Sequence, residues 1–240
     1  MSRLAPSFSL TLFLFAGVIG SPALAQSTNA VAKAFAGQWV SYDHKFSAQA
    51  SCNLDFSASK QGDLYPIKQS NCIGEMATIS GWKIQNNQLL FIGTNKAPIA
   101  VVGGNQERLS GTMVTSKRPV IFEKLALAQK IVKARKAIGC SYVGYSKTCA
   151  SPRQFSPPNI AEGTTAPLKI LVNLNTRSEP RNNAKVVSVL KPNTCVSATV
   201  CTVASDGLWC KIKTGQTEGW IKKQAVRQKK WPILTFENGC

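Results

Sequence analysis

The sequence predicts an all-β protein: two small β units joined by a short helix and a linker. Three observations carry this. Short apolar runs broken by turn formers occupy residues 31–125 and again 168–228. Only one stretch between them has helical spacing. The eight cysteines are spread through both halves of the 240 residues with no Cys-x-x-Cys pair, so neither a zinc ribbon nor a thioredoxin-like redox motif is present.

At the N-terminus, Ser2-Arg3 gives a positive start and Leu10 to Ile19 an uninterrupted apolar run too short for a stop-transfer helix. Ala23-Leu24-Ala25 has the small-x-small form of a cleavage site. Residues 1–25 are expected to be a secretory signal peptide, leaving a chain that starts at Gln26. No cysteine follows the cleavage site, so no lipid anchor is expected, and the protein is read as periplasmic or secreted. An even cysteine count in an exported chain predicts disulfides.

In residues 26–125, Gly37 to Val40, Ser51 to Phe56, Leu89 to Ile92 and Pro119 to Phe122 read as strands, with turns at Asn86-Asn87 and Gly103-Gly104-Asn105. Many short strands at this spacing predict a sandwich or barrel. Cys52 and Cys72 are the two cysteines of this block and are expected to pair.

The connector, residues 126–167, opens within a helix predicted over Lys124 to Ile138. Its apolar stripe is Leu127, Ile131, Ala134 and Ile138, and Lys130, Lys133, Arg135 and Lys136 are expected to face solvent. Cys140 and Cys149 would close a small loop, and Arg153 to Pro167 reads as an extended linker. In residues 168–228, Val186 to Leu190, Cys195 to Val203, Leu208 to Ile212 and Gly219 to Ile221 read as strands. Cys201 and Cys210 flank the Ser205-Asp206-Gly207 turn, where cross-strand pairing is easy. That leaves Cys195 for Cys240, stapling a C-terminal tail, residues 229–240, back onto the second unit.

In the first block, Ala36-Gly37-Gln38-Trp39 precedes Cys52 and Cys72, followed by Gly81-Trp82-Lys83 and Gln88 to Phe91. This order resembles the Inh family of bacterial alkaline metalloproteinase inhibitors over about Lys33 to Leu125. The resemblance implies a lipocalin-like eight-stranded barrel with one disulfide, Trp39 and Trp82 serving it structurally. It also implies a secreted serralysin-type zinc protease as partner. The segment ahead of the barrel, Gln26, Ser27, Thr28, Asn29 and Ala30, would then enter the protease cleft as an extended strand, its α-amine approaching the zinc. An α-amine titrates near pH 8, so its neutral form is accessible, and a catalytic zinc keeps one position open for it. Gln26 can cyclise to pyroglutamate, which would remove that amine.

The second block resembles a bacterial SH3-like (SH3b) domain. Val172 to Pro180, Val186 to Thr194, Leu208 to Ile212 and Glu218 to Ile221 carry the likeness, four motifs in order. It implies a small half-open barrel that binds peptidoglycan peptides or a protein partner. Trp209, Trp220 and Arg177 are the candidate ligand surface.

Enzymatic motifs are missing. The chain has no His-Glu-x-x-His, no Gly-x-Ser-x-Gly and no phosphate loop, and a single histidine, His44. No catalytic residue, metal or cofactor is expected. The net charge of +18 is uneven: residues 33–125 carry 10 basic and 6 acidic groups, residues 168–240 carry 12 and 4. For an exported chain no nucleic-acid partner is expected, and the expected anionic partner is the envelope surface or peptidoglycan.

Overall fold

The computed structural model describes residues 28–240. The expected signal peptide, Gln26 and Ser27 lie outside the described residues. The described chain is mostly β with two α-helices.

Helix α1 (Thr28–Phe35) leads into β1 (Gly37–Ser41), β2 (Cys52–Phe56), β3 (Tyr65–Ser70), β4 (Ile79–Gln85), β5 (Gln88–Gly93), β6 (Pro98–Gly104), β7 (Arg108–Met113) and β8 (Pro119–Lys124). Each strand pairs antiparallel with the next, and β8 returns to β1 with Lys124 opposite Trp39 and Glu123 opposite Val40. The sheet therefore closes as an eight-stranded barrel. The β4–β5 turn is Asn86-Asn87, both at positive φ (51° and 58°), as a two-residue hairpin loop requires. Gly111 lets β6 and β7 approach, since a Cβ there would sit 2.0 Å from the Val101 carbonyl oxygen.

Aromatic rings fill the barrel. Trp39 stacks on Phe56 at 5.5 Å, Phe56 lies 5.7 Å from Trp82, and Tyr65 stacks on Trp82 at 4.7 Å. Inward positions recur every second residue, as with Cys52, Leu54 and Phe56 on β2. Eight strands enclose a space that side chains can just fill, so the barrel is a packed core. Helix α1 closes one end by burying Ala32 and Phe35. Lys124 Nζ donates to the Phe35 and Ala36 carbonyls at the helix C-terminus and lies 4.5 Å from the Trp39 ring centroid. Thr28, Asn29 and Ala30 are the first turn of α1, so that part of the expected extended segment is helical.

Helix α2 (Leu125–Lys136) continues directly from β8. Its buried side is rotated from the expected stripe: Ala128 is fully buried, Ala134 is exposed, and Arg135 faces inward rather than to solvent. The helix packs on β1 and β8, and Arg135 reaches across to the second unit, where it meets Ser205 and Gln224. Strand β9 (Tyr142–Val143) follows, then a 3-10 turn at Pro152–Phe155 in the expected linker.

The second unit comprises β10 (Ala166–Ile170), β11 (Leu174–Arg177), β12 (Val186–Leu190), β13 (Cys195–Ala204), β14 (Gly207–Thr214), β15 (Thr217–Lys222), β16 (Gln224–Arg227), β17 (Trp231–Leu234) and β18 (Phe236–Asn238). Seven form one sheet in the order β12-β11-β15-β14-β13-β10-β18 around a core that includes Leu168, Ile170, Ile212, Ile221 and Phe236. A smaller sheet runs β16-β17-β9. Residues 229–240, expected as a tail stapled onto this unit, carry β17 and β18, and Phe236 is core.

All eight cysteines are bridged: Cys52–Cys72, Cys140–Cys149, Cys195–Cys240 and Cys201–Cys210. Lys223 is 1% exposed and ties three segments together, donating to the Ser156 carbonyl at 2.8 Å and Asn238 Oδ1 at 2.7 Å from the end of β15. Burial pulls its ammonium down from 10.5 to about 8, against a weak opposing pull from Glu237. Between those values the folded state holds fewer protons than the unfolded chain, so stability rises with pH across that window. Urea unfolding at pH 7.5 and 9.5 should show this rise, and Lys223→Met should flatten it.

Candidate functional site

The two units meet at a hairpin tip. Ser205 and Asp206 form the two-residue loop between β13 and β14, with Ala204 opposite Gly207. Hairpin tips ordinarily face water, yet Ser205 and Asp206 are both buried against the first barrel. The Ser205 N–H donates to Glu123 Oε2 at 2.6 Å and its hydroxyl to Glu123 Oε1 at 2.8 Å. Arg108 Nη1 lies 3.2 Å from Asp206 Oδ1 and 3.4 Å from Glu123 Oε1, bridging the two carboxylates. Lys222 Nζ reaches Asp206 Oδ2 at 2.8 Å, and Trp209 Nε1 donates to Asp206 Oδ1 at 3.0 Å. From α2, Arg135 Nη1 donates to the Ser205 carbonyl at 2.9 Å.

Three cations therefore surround two buried carboxylates. Their electrostatics differ. Burial pushes Glu123 above the usual carboxylate range, outweighing the pull of Arg108 and the Ser205 hydrogen bonds. Burial would also raise Asp206, but Lys222 and Arg108 together hold it below its ordinary value. Desolvation lowers the Arg135 guanidinium somewhat, which the two carboxylates oppose.

An apolar patch seals this network. Ile121 on β8 packs with Ala204, Trp209 and Trp220. Along β8, Val120 and Phe122 point into the barrel core while Ile121 and Glu123 point outward under the second unit. The unbroken apolar run at 120–122 was the sequence signal for a strand covered on both faces. Nothing comparable marked Arg108, Ser205 or Asp206, because a charged turn reads as solvent-exposed.

The expected ligand surface is placed differently by this contact. Trp209 is 1% exposed and Trp220 9%, and both pack in the interface between the units. Arg177 sits opposite Trp220 and donates to the Ala184 carbonyl at 2.7 Å. Trp220 forms part of the wall of an interdomain cleft of about 780 Å³, whose other lining includes Gly104, Gly111, Arg181 and Lys211. Trp39 and Trp82 lie in the first core. Among the described residues no cluster of His, Cys, Asp or Glu is arranged to hold a metal ion, and none of the helices is long and apolar enough to cross a membrane.

Residues 172–228 match the family model of the bacterial SH3 domain. They cover β11 to β16, so the SH3 domain supplies the buried hairpin, Trp209, Trp220 and Lys222. Strands β10, β17 and β18 lie outside the match but complete its sheets. A comparison with curated proteins finds no match. The SH3 domain and the four disulfides fit an extracytoplasmic protein.

Removing one partner of a buried ionic network leaves the others unpaired, at a cost of about 3–5 kcal/mol. Asp206→Ala should lower stability by that amount in urea unfolding with disulfides intact. Asp206→Asn, which keeps an acceptor for Trp209, should lose less.

Proposed function

We propose that the protein is an exported inhibitor of a zinc metalloprotease, kept at an anionic envelope surface by its SH3 domain and basic C-terminal half. It is read as a binding protein and not an enzyme. The observation that carries the reading is the first barrel: eight strands, one internal disulfide and an interior packed with aromatic rings, closed at one end by α1. A filled barrel has no room for a carried ligand. It is a rigid platform, and a rigid platform lowers the entropic cost of presenting a short segment to a cleft. The motif order around Gly37-Gln38-Trp39 and Gly81-Trp82 supports the same reading.

The inhibitory segment is revised by α1. Gln26 and Ser27 remain as the part that would enter the cleft, with Thr28 and Asn29 following at the mouth on the first helical turn. A neutral Gln26 amine would occupy the open zinc position and displace the nucleophilic water, releasing a proton on binding. Pyroglutamate formation would abolish this.

A second reading, a non-inhibitory envelope adaptor, is favoured by the SH3 match and by the 12 basic against 4 acidic groups of residues 168–240. The two can hold together, and separate assays test them. The mature protein should inhibit a serralysin-type protease at micromolar concentration, and one extra residue ahead of Gln26 should abolish inhibition. No inhibition by the native form rejects the first reading; inhibition that survives the extension rejects the amine-to-zinc mechanism. For the second reading, the protein should sediment with purified peptidoglycan at low ionic strength, and its failure to do so would count against envelope binding.

A further inference from the structure

A second concave site lies away from the interdomain contact. The Cys140–Cys149 bridge closes a loop that carries β9, and β9 pairs parallel with β17, Tyr142 opposite Ile233 and Val143 opposite Leu234. This places two distant segments side by side around a cavity of about 520 Å³, lined by Tyr142, Tyr145, Lys147, Arg227, Trp231 and Ile233 among others. Apart from Arg227, these six residues lie outside the SH3 match.

The cavity's chemistry is aromatic and cationic. Tyr142 and Trp231 have ring centroids 6.1 Å apart at 60°, so the rings form a corner rather than a closed stack. Trp231 is 43% exposed and Tyr145 66%, whereas the other four tryptophans are buried. Lys230 Nζ lies 4.9 Å from the Trp231 ring centroid. Arg227 donates through Nη2 to the Asn173 carbonyl, which fixes its guanidinium. Lys147, Arg227, Lys229 and Lys230 have no ion-pair partner among the described residues, and no acidic residue occurs in 139–161 or 219–236. The β16–β17 turn holds Gln228 and Lys229 at positive φ (50° and 56°) and leads directly into Lys230 and Trp231.

We propose that this cavity binds an acidic glycan. Exposed aromatic rings offer flat apolar faces to the C–H face of a sugar ring, while Arg and Lys heads select a carboxylate on it. Charge complementarity commits the occupant to an anion. Concavity separates it from a bilayer surface, which would need apolar side chains protruding rather than lining a hollow. The inference names a ligand class for the envelope-binding part of the function proposed above and rests on that part, but it is independent of protease inhibition.

The test uses the full mature protein, with oligogalacturonate as probe and its methyl ester as the uncharged counterpart. Quenching of tryptophan emission reports on Trp231, the one substantially exposed tryptophan, and calorimetry gives the affinity. The acid form should bind about tenfold or more tighter than the ester. Trp231→Ala and Tyr145→Ala should each weaken binding by about tenfold, with thermal unfolding unchanged for the exposed Tyr145 site. Lys147→Gln with Lys230→Gln should weaken binding and flatten its salt dependence. Equal binding of acid and ester, unchanged affinity in both aromatic variants, or tighter binding to phosphatidylglycerol vesicles or a DNA oligonucleotide would each overturn the proposal. If Tyr145→Ala and Trp231→Ala sediment with peptidoglycan as well as wild type, the envelope reading stands and this cavity is not its site.

Discussion

The architecture depends on one buried turn. Ser205 and Asp206 carry the hairpin tip of the SH3 domain into the flank of the first barrel, where Glu123, Arg108, Lys222 and Arg135 satisfy it. Burying two carboxylates is unfavourable unless their lone pairs find donors. Here backbone N–H, hydroxyl, indole, ammonium and guanidinium groups from both units supply them. In this arrangement of the units both carboxylates, Glu123 and Asp206, are paired. The apolar patch of Ile121, Ala204, Trp209 and Trp220 excludes water around it and strengthens each contact by lowering the local dielectric.

Other features are positioned through that contact. Arg135 holds α2 to the turn, and its Nε donates to Gln224 at the start of β16 at 3.3 Å. Gln224 in turn donates to Ser141 Oγ at 2.6 Å, beside the Cys140–Cys149 loop. A chain of polar contacts thus runs from the interface to the small β16-β17-β9 sheet. The aromatic interior of the first barrel does a different task. It fixes β1 and β8, and through Lys124 it anchors the end of α1, so the N-terminal part of the described chain starts from a rigid base.

Much of the fold was legible in local patterning. The strand at Ser51 to Phe56 follows from alternation, the one at Pro119 to Phe122 from an unbroken apolar run, and the Asn86-Asn87 turn from turn chemistry; three cysteine pairs follow from proximity along the chain, and Cys195–Cys240 from elimination. What was not legible depends on long-range contact. Arg135 faces inward because Ser205 and Gln224, seventy or more residues away in the chain, are brought to it, and Ala128 is buried on the side of α2 that packs on the barrel. Asp206 reads as a surface turn until Arg108 and Lys222 are brought to it. Trp209 and Trp220 carry motif positions of an SH3 domain, but the neighbouring barrel removes them from solvent. Thr28 to Ala30 read as a polar extension, yet the apolar Ala32 and Phe35 beyond them draw the segment into a helix. The pairing of Tyr142 with Ile233 could not be seen at all, since two short segments acquire a role only when the sheet joins them.

The positive charge of this protein occupies two kinds of environment. Arg108, Arg135 and Lys222 are shut between the units, where counterions have little access and the local field is strong. Lys147, Lys229 and Lys230 stand in open water, where mobile ions shield them within about 10 Å at 0.1 M salt. The forces that join the two barrels and those that would hold the proposed anionic ligand are of the same sign and origin, yet they answer differently to ionic strength. A rise in salt would weaken the proposed attachment to an anionic surface while leaving the two barrels joined.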